Sequence, residues 1–190
     1  MRLKHVELLV IGGSAGSIRA VRNIFQYLEI LPVPVLMTLH RPAQDSESNL
    51  RQVLQTVCKM PIIEPQTTTL PQPGHVYLAP PNRHLTVEPN RMLGLSDSPL
   101  VHYSRPSIDV LFVSAADVYG GNILGILLTG ANQDGAMGMK LLKDAGGTTA
   151  VQDPAECMID TMPRAAMALT TIDRILTTRQ MAEWLNNAFV

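Results

Sequence analysis

Ser14 stands in Gly12-Gly13-Ser14-Ala15-Gly16, a G-x-S-x-G pattern, and His40 and Asp134 each lie past an apolar run of strand length farther along the chain. An alcohol, an imidazole and a carboxylate are the groups of nucleophilic acyl transfer. The imidazole takes the alcohol proton, and the carboxylate orients the ring and stabilises its charged form. The glycines let the backbone turn sharply and lift the hydroxyl out of a sheet. A helix starting just beyond them aims N–H groups at the spot where an oxyanion would develop. Each residue also has a plainer reading. Ser14 can cap the next helix, His40 can be a hydrogen-bonded strand-end residue, and Asp134 sits where a helix N-cap or first-turn acid is favoured. The chemical reading rests on all three falling at one edge of the expected sheet.

That edge follows from the order of elements. Apolar runs alternate with helical patterns, which predicts an α/β chain with three αβα layers around a doubly wound, mainly parallel sheet. A first strand runs up to Gly12-Gly13, a helix covers 18–28, a second strand covers 33–39 and ends at His40, and a helix covers 46–58. A short strand falls near Ile62 and Ile63. The runs 76–79 and 84–87, separated by Pro80-Pro81-Asn82-Arg83, predict a β-hairpin or a bent pair, and with it a small antiparallel hairpin beside the main sheet. Ser107 caps a helix over 107–119, the most apolar strand covers 123–128, and a helix over 134–145 ends at Gly146-Gly147. A strand at 148–152 and helices at 162–169 and 178–188 complete the chain. In such a sheet ligands bind beyond the carboxyl ends of the strands, so residues at successive strand exits can converge.

The chain has 190 residues, 46% of them hydrophobic and 16% charged, with a net charge of −1, and is read as a single domain. That balance offers no basic face for nucleic acid and no polybasic membrane patch. No apolar run approaches the roughly 18 residues of a membrane span, and the N-terminal run reads as the entry to a strand rather than a leader. Cys58 and Cys157 have neither disulfide nor zinc spacing, which favours a reduced cytoplasmic setting and a role for both as small buried hydrophobes. His75, His84 and His102 lack metal-ligand spacing and read as hydrogen-bonding surface or hairpin residues. Arg41, Arg83 and Arg105 flank the motif segments, either as solvated charges or as contacts for an acidic partner.

Two familiar folds fit poorly. An α/β-hydrolase runs Ser, acid, His with its serine well inside the chain, whereas the order here is Ser14, His40, Asp134. A dinucleotide fingerprint needs glycine where Ile11 stands, and the second strand ends in histidine instead of an acid.

The segments IGGSAGS, TLHRP, PGHVYLAPPNRHL, SRPSIDVLFVSAADVYG, ILLTGANQDGAMGMKLLKDAGG and QDPAECMIDTMPRAAM together resemble the catalytic domain of CheB-type chemotaxis protein-glutamate methylesterases, in order and over nearly the whole chain. The resemblance implies Ser14 as nucleophile, His40 as base and Asp134 as orienting acid. It implies hydrolysis of γ-glutamyl methyl esters on the cytoplasmic region of methyl-accepting chemotaxis receptors to glutamate and methanol, with deamidation of receptor glutamines as a side activity and no metal or cofactor. Three positions depart from the family pattern. Ala15 and Ser17 stand where the family has threonine and glycine, so a hydroxyl beside the nucleophile is missing, and Ala131 replaces a bulkier residue near the cleft. The family's receiver domain, which occludes the site until phosphorylated, is not among these 190 residues. The alternatives are a catalytically weak signalling or adaptor module with the same fold, and an esterase for another small ester. The sequence is silent on oligomeric state.

Overall fold

The computed structural model describes residue 3 and residues 5–42 and 47–189. The central strand, β1 (Leu8–Gly13), is buried along its whole length. Its side chains alternate: Leu9 and Ile11 enter one apolar core and Leu8 and Val10 the other, so the sheet is covered on both faces. Each such fully buried aliphatic side chain contributes about 1.5–3 kcal/mol.

Around β1 lie β2 (Val35–Leu39), β3 (Ile62–Ile63), β4 (Val76–Leu78), β7 (Ile123–Leu127), β8 (Thr148–Gln152) and β9 (Arg174–Leu176), in the order β3-β4-β2-β1-β7-β8-β9. Every pair in this sheet is parallel. One face carries α1 (Ser17–Phe25), α2 (Glu47–Gln55) and α6 (Thr178–Ala188), and the other carries α3 (Ile108–Tyr119), α4 (Ala136–Asp144) and α5 (Thr161–Leu169). The expected three-layer αβα arrangement is therefore present. Residue 46, the expected start of the second helix, lies outside the described residues. The start of α6 follows from a capping box in which Thr177 and Gln180 satisfy each other's backbone N–H.

The antiparallel hairpin exists, but between different strands. β5 (His84–Val87) pairs with β6 (Leu93–Ser96), while β4 joins the main sheet next to β2. Tyr77 and Leu78 are buried on opposite faces, which only a central strand allows. The turn that closes the hairpin is at Pro89-Asn90, where the Arg91 N–H donates to Glu88 O at 2.7 Å. Among the described residues, no helix is long and apolar enough to cross a membrane.

Candidate active site

The chain leaves β1 for β2 on one side and returns to β7 on the other, so the topological switch lies at the C-terminal ends of β1 and β7. Ser14 emerges there. Its N–H donates to Thr129 O at 2.9 Å, and the His40 N–H donates to Gly13 O at 3.0 Å. The β1–β2 register Gly13↔Leu39 thus continues into Ser14 and His40 side by side. The helix following Ser14 is capped by Gly16, in the left-handed region at φ 84°, with no side-chain cap, so Ser14 is not the cap residue. The Ser14 hydroxyl has no hydrogen-bond partner among the described residues. Neither do the N–H groups of Ala15 and Gly16 at the start of α1.

Asp134 is fully buried, and each of its oxygens accepts two donors. Oδ2 receives His40 Nε2 and the Ile108 N–H, both at 2.7 Å; Oδ1 receives Ser107 Oγ at 2.8 Å and the Asp109 N–H at 3.0 Å. Burial alone would raise its pKa, but the His40 hydrogen bond and the Asp109 and Ile108 N–H groups outweigh it and hold the carboxyl below the ordinary value. The expectation that Asp134 opens its own helix is corrected: α4 starts at Ala136 behind Gly135, at φ 91°. Asp134 instead caps α3, about 26 residues earlier in the chain.

Because the ionised carboxylate only accepts, Nε2 carries the ring proton of neutral His40 and Nδ1 holds the lone pair. Nδ1 lies 3.2 Å from Ser104 Oγ. Of the three residues singled out in the sequence, His40 and Asp134 are in direct contact. Ser14 is on the adjoining strand exit without a hydrogen bond to the ring.

A model of the CheB methylesterase family matches residues 9–185. This chain belongs to the CheB methylesterase family. A CheB relative from Leptospira interrogans, named a putative protein-glutamate methylesterase/protein-glutamine glutaminase, is 40% identical over 180 residues, 94% of this chain and 93% of that protein. A protein-glutamate methylesterase/protein-glutamine glutaminase from Bordetella parapertussis is 38% identical over 181 residues, 93% of this chain and 51% of that protein, so the chain spans about half of that relative. The crystal structure of the Thermotoga maritima CheB methylesterase catalytic domain matches with a TM-score of 0.89 at 27% identity, covering 95% of this chain and 97% of that one.

In this CheB domain the residues around His40 and Asp134 include several that sequence reasoning passed over. Ser107 is the helix cap its position suggests, and its hydroxyl also serves Asp134. His84 is a hydrogen-bonding residue of the hairpin, in β5, and is fully buried rather than at the surface. Its Nδ1 accepts the Ser107 N–H at 3.1 Å, so its Nε2 donates to Pro99 O at 3.1 Å. His102 Nε2 sits 3.2 Å from Asp109 Oδ2, forming a second acid–imidazole pair beside the first. The signal available was the clustering of polar residues in SRPSID, whose spacing alone does not say which atoms meet. The three arginines are held within the chain. The Arg41 side chain is only 3% exposed and pairs with Glu64, Arg83 pairs with Asp97, and Arg105 binds Asn82 Oδ1 and the carbonyls of Asp97 and Ser98.

His102, Asp109 and Asp134 offer ligand atoms within 4.8 Å of one another. Both Asp134 oxygens are already saturated by protein donors, and Asp109 Oδ1 takes the Gly138 N–H at 2.7 Å. This set is therefore built to hold protein hydrogens rather than a cation. Burial pushes the thiols of Cys58 and Cys157 up to about 11, which leaves little thiolate at neutral pH.

Proposed function

We propose that this chain is a serine esterase that hydrolyses γ-glutamyl methyl esters on the cytoplasmic region of methyl-accepting chemotaxis receptors, releasing methanol and leaving glutamate. Residues 1–190 act as one catalytic domain working in the cytoplasm, and deamidation of receptor glutamines proceeds by the same steps with ammonia as leaving group. The observation that carries this reading is the 2.7 Å contact of His40 with a saturated, ionised Asp134, next to an uncommitted serine hydroxyl on the neighbouring strand exit. Membership of a family whose relatives carry the methylesterase and glutaminase names supplies the substrate class.

In this mechanism Ser14 Oγ attacks the ester carbonyl while its proton passes to His40 Nδ1. Asp134 holds the ring by Nε2–H and stabilises the imidazolium. The carbonyl oxygen becomes an oxyanion, which the free Ala15 and Gly16 N–H groups at the start of α1 receive. A donor of this kind is worth about 3 kcal/mol in serine hydrolases. Collapse expels methanol, which takes the proton from Nδ1. Water, activated by the same nitrogen, then releases glutamate from Ser14. The backbone donors survive the replacement of threonine by Ala15; a side-chain donor there does not.

The test is methanol release from methyl-esterified receptor by the native chain and by Ser14→Ala. Loss of turnover in the variant supports the proposal, and equal rates overturn it. Turnover of generic small esters far above that of receptor would redirect the substrate assignment.

A further inference from the structure

His40 has two ring nitrogens, and Asp134 uses only one. The second, Nδ1, is the atom that must take the proton of Ser14, and in this structure it faces Ser104 Oγ at 3.2 Å while the Ser14 hydroxyl stands unpaired. With neutral His40 protonated at Nε2, Ser104 is the donor in that contact.

The backbone that presents Ser104 is unusual. Val101 and Ser104 close a two-residue turn, the Val101 N–H donating to Ser104 O at 3.1 Å and the Ser104 N–H to Val101 O at 2.9 Å. The two central residues, His102 and Tyr103, have φ of 48° and 61°. This is the conformation of a type I′ turn, which ordinarily calls for glycine, asparagine or aspartate. Neither residue is of that kind, and Tyr103 is 99% exposed, so burial of its ring does not hold the turn. The side-chain contacts at the turn are those of His102 with Asp109 and of Ser104 with His40. Strained backbone of this sort persists where the surrounding contacts over-determine it, and here those contacts lead to the base and to the neighbour of its acid.

We propose that Ser104 is a positioning residue for His40. Its hydroxyl holds the imidazole at Nδ1 with Nε2–H on Asp134, and gives up Nδ1 to the Ser14 hydroxyl when substrate enters. Once Nδ1 has taken the Ser14 proton, Ser104 Oγ rotates and accepts from the Nδ1–H. It keeps its own proton throughout and forms no covalent bond. The proposal rests on the reading of His40 as the base. It separates two hydroxyls at one ring: Ser14 stands beside the free N–H groups of Ala15 and Gly16 and reacts, whereas Ser104 is bound by its backbone into the turn and orients.

The test is steady-state methanol release from methyl-esterified receptor by the whole chain carrying Ser104→Ala or Ser104→Thr, with Ser14→Ala in parallel. Ser104→Ala is expected to lower kcat about tenfold with KM within about twofold, the loss set by one orienting hydrogen bond. Ser104→Thr keeps the hydroxyl and is expected to recover most of that loss, which a purely structural defect would not do. Unchanged kcat in Ser104→Ala, equal impairment of both variants, or a rise in KM alone would overturn the proposal. A normal Ser104→Ala beside an inactive Ser14→Ala would remove the positioning role and leave the esterase intact. An active Ser14→Ala would remove the esterase reading itself.

Discussion

The Ile108 N–H lies 2.7 Å from Asp134 Oδ2, the same oxygen that receives the His40 ring at 2.7 Å. Asp134 therefore shares the capping of α3 with Ser107, taking the Ile108 and Asp109 N–H groups while Ser107 Oγ takes that of Val110. Under the proposed esterase reading, a substitution at this position is expected to act on activity and on folding together.

Asp134→Ala removes the acceptor for Ser107 Oγ and two helix N–H groups as well as for His40. We expect it to lower stability by about 3–5 kcal/mol, the range for breaking a buried paired charge, and kcat by about 10⁴-fold. Asp134→Asn keeps one carbonyl acceptor, so it should recover part of the stability with little of the activity. Urea denaturation alongside turnover checks both. A stable Asp134→Ala would contradict the capping role.

The acidic groups also set the pH dependence of stability. Asp134 is held low because burial is outweighed by His40 and by the N–H groups of Asp109 and Ile108, and Asp173 because burial is outweighed by Lys143 and by the Thr149 N–H and hydroxyl. Both titrate below their unfolded value of about 3.9. The unfolded chain then binds the proton first, so their stabilisation is present above that pH and is lost as pH falls through the folded value. Asp109 goes the other way: burial and the Asp134 charge outweigh the Gly138 N–H and His102, and its pKa is raised. The folded chain binds that proton first, so stability contributed by protonated Asp109 is lost as pH rises through its folded value. As pH falls from the raised folded pKa of Asp109 toward about 4, the urea midpoint should show a shallow gain and then a steep fall below about 4. Asp109→Asn should remove the gain. A monotonic fall from pH 7 in the native chain would contradict this assignment.

Helix α3 packs on the end of β1 at Gly12. A Cβ at Gly12 would clash with Ile108 Cγ2 and stand 3.2 Å from Leu127 Cδ1. Gly12→Ala should cost about 1–3 kcal/mol by overpacking and reduce turnover by displacing Ser14, two residues on. Combined with Ile108→Ala, the loss should be smaller than the sum of the single losses, because the methyl then has room. Thermal or urea melts of the four chains provide the measurement; strict additivity would argue against the contact.

His84→Ala leaves the buried Ser107 N–H without a partner. It should lower stability by about 1–3 kcal/mol, the cost of one unsatisfied buried group. His84→Gln should lose less in the same denaturation experiment, and an unaffected His84→Ala would rule out its supporting role.

The layers were legible in the sequence because β1, β2 and β7 are continuous apolar runs that both faces of a covered parallel sheet require. Strand β9 was not: Arg174, Ile175 and Leu176 lie at the sheet edge, largely exposed, and carry no burial pattern. Of the two readings for the runs around Pro80-Pro81, the hairpin between β4 and β5 does not form, because Pro80-Pro81 resembles a hairpin turn as strongly as Pro89-Asn90 does and the strand that pairs with β5 is β6. In the site, strand exits were enough to bring His40 and Asp134 to one edge. The cap that Asp134 provides for α3, and the approach of Ser104 to His40, depend on contacts 25 and 64 residues apart in the chain. No local spacing encodes them, and the turn that delivers Ser104 uses His102 and Tyr103 where the usual turn residues would have announced it.

The central claim, that Ser14 and His40 act as one unit, is tested most directly by kcat for methanol release from methyl-esterified receptor in Ser14→Ala, His40→Gln and the double variant. Groups that work together lose their contribution together, so each single substitution should lower kcat by at least about 10³-fold and the double variant should be no worse than the more damaged single. Losses that multiply in the double variant, or a Ser14→Ala chain that still turns over, would contradict it.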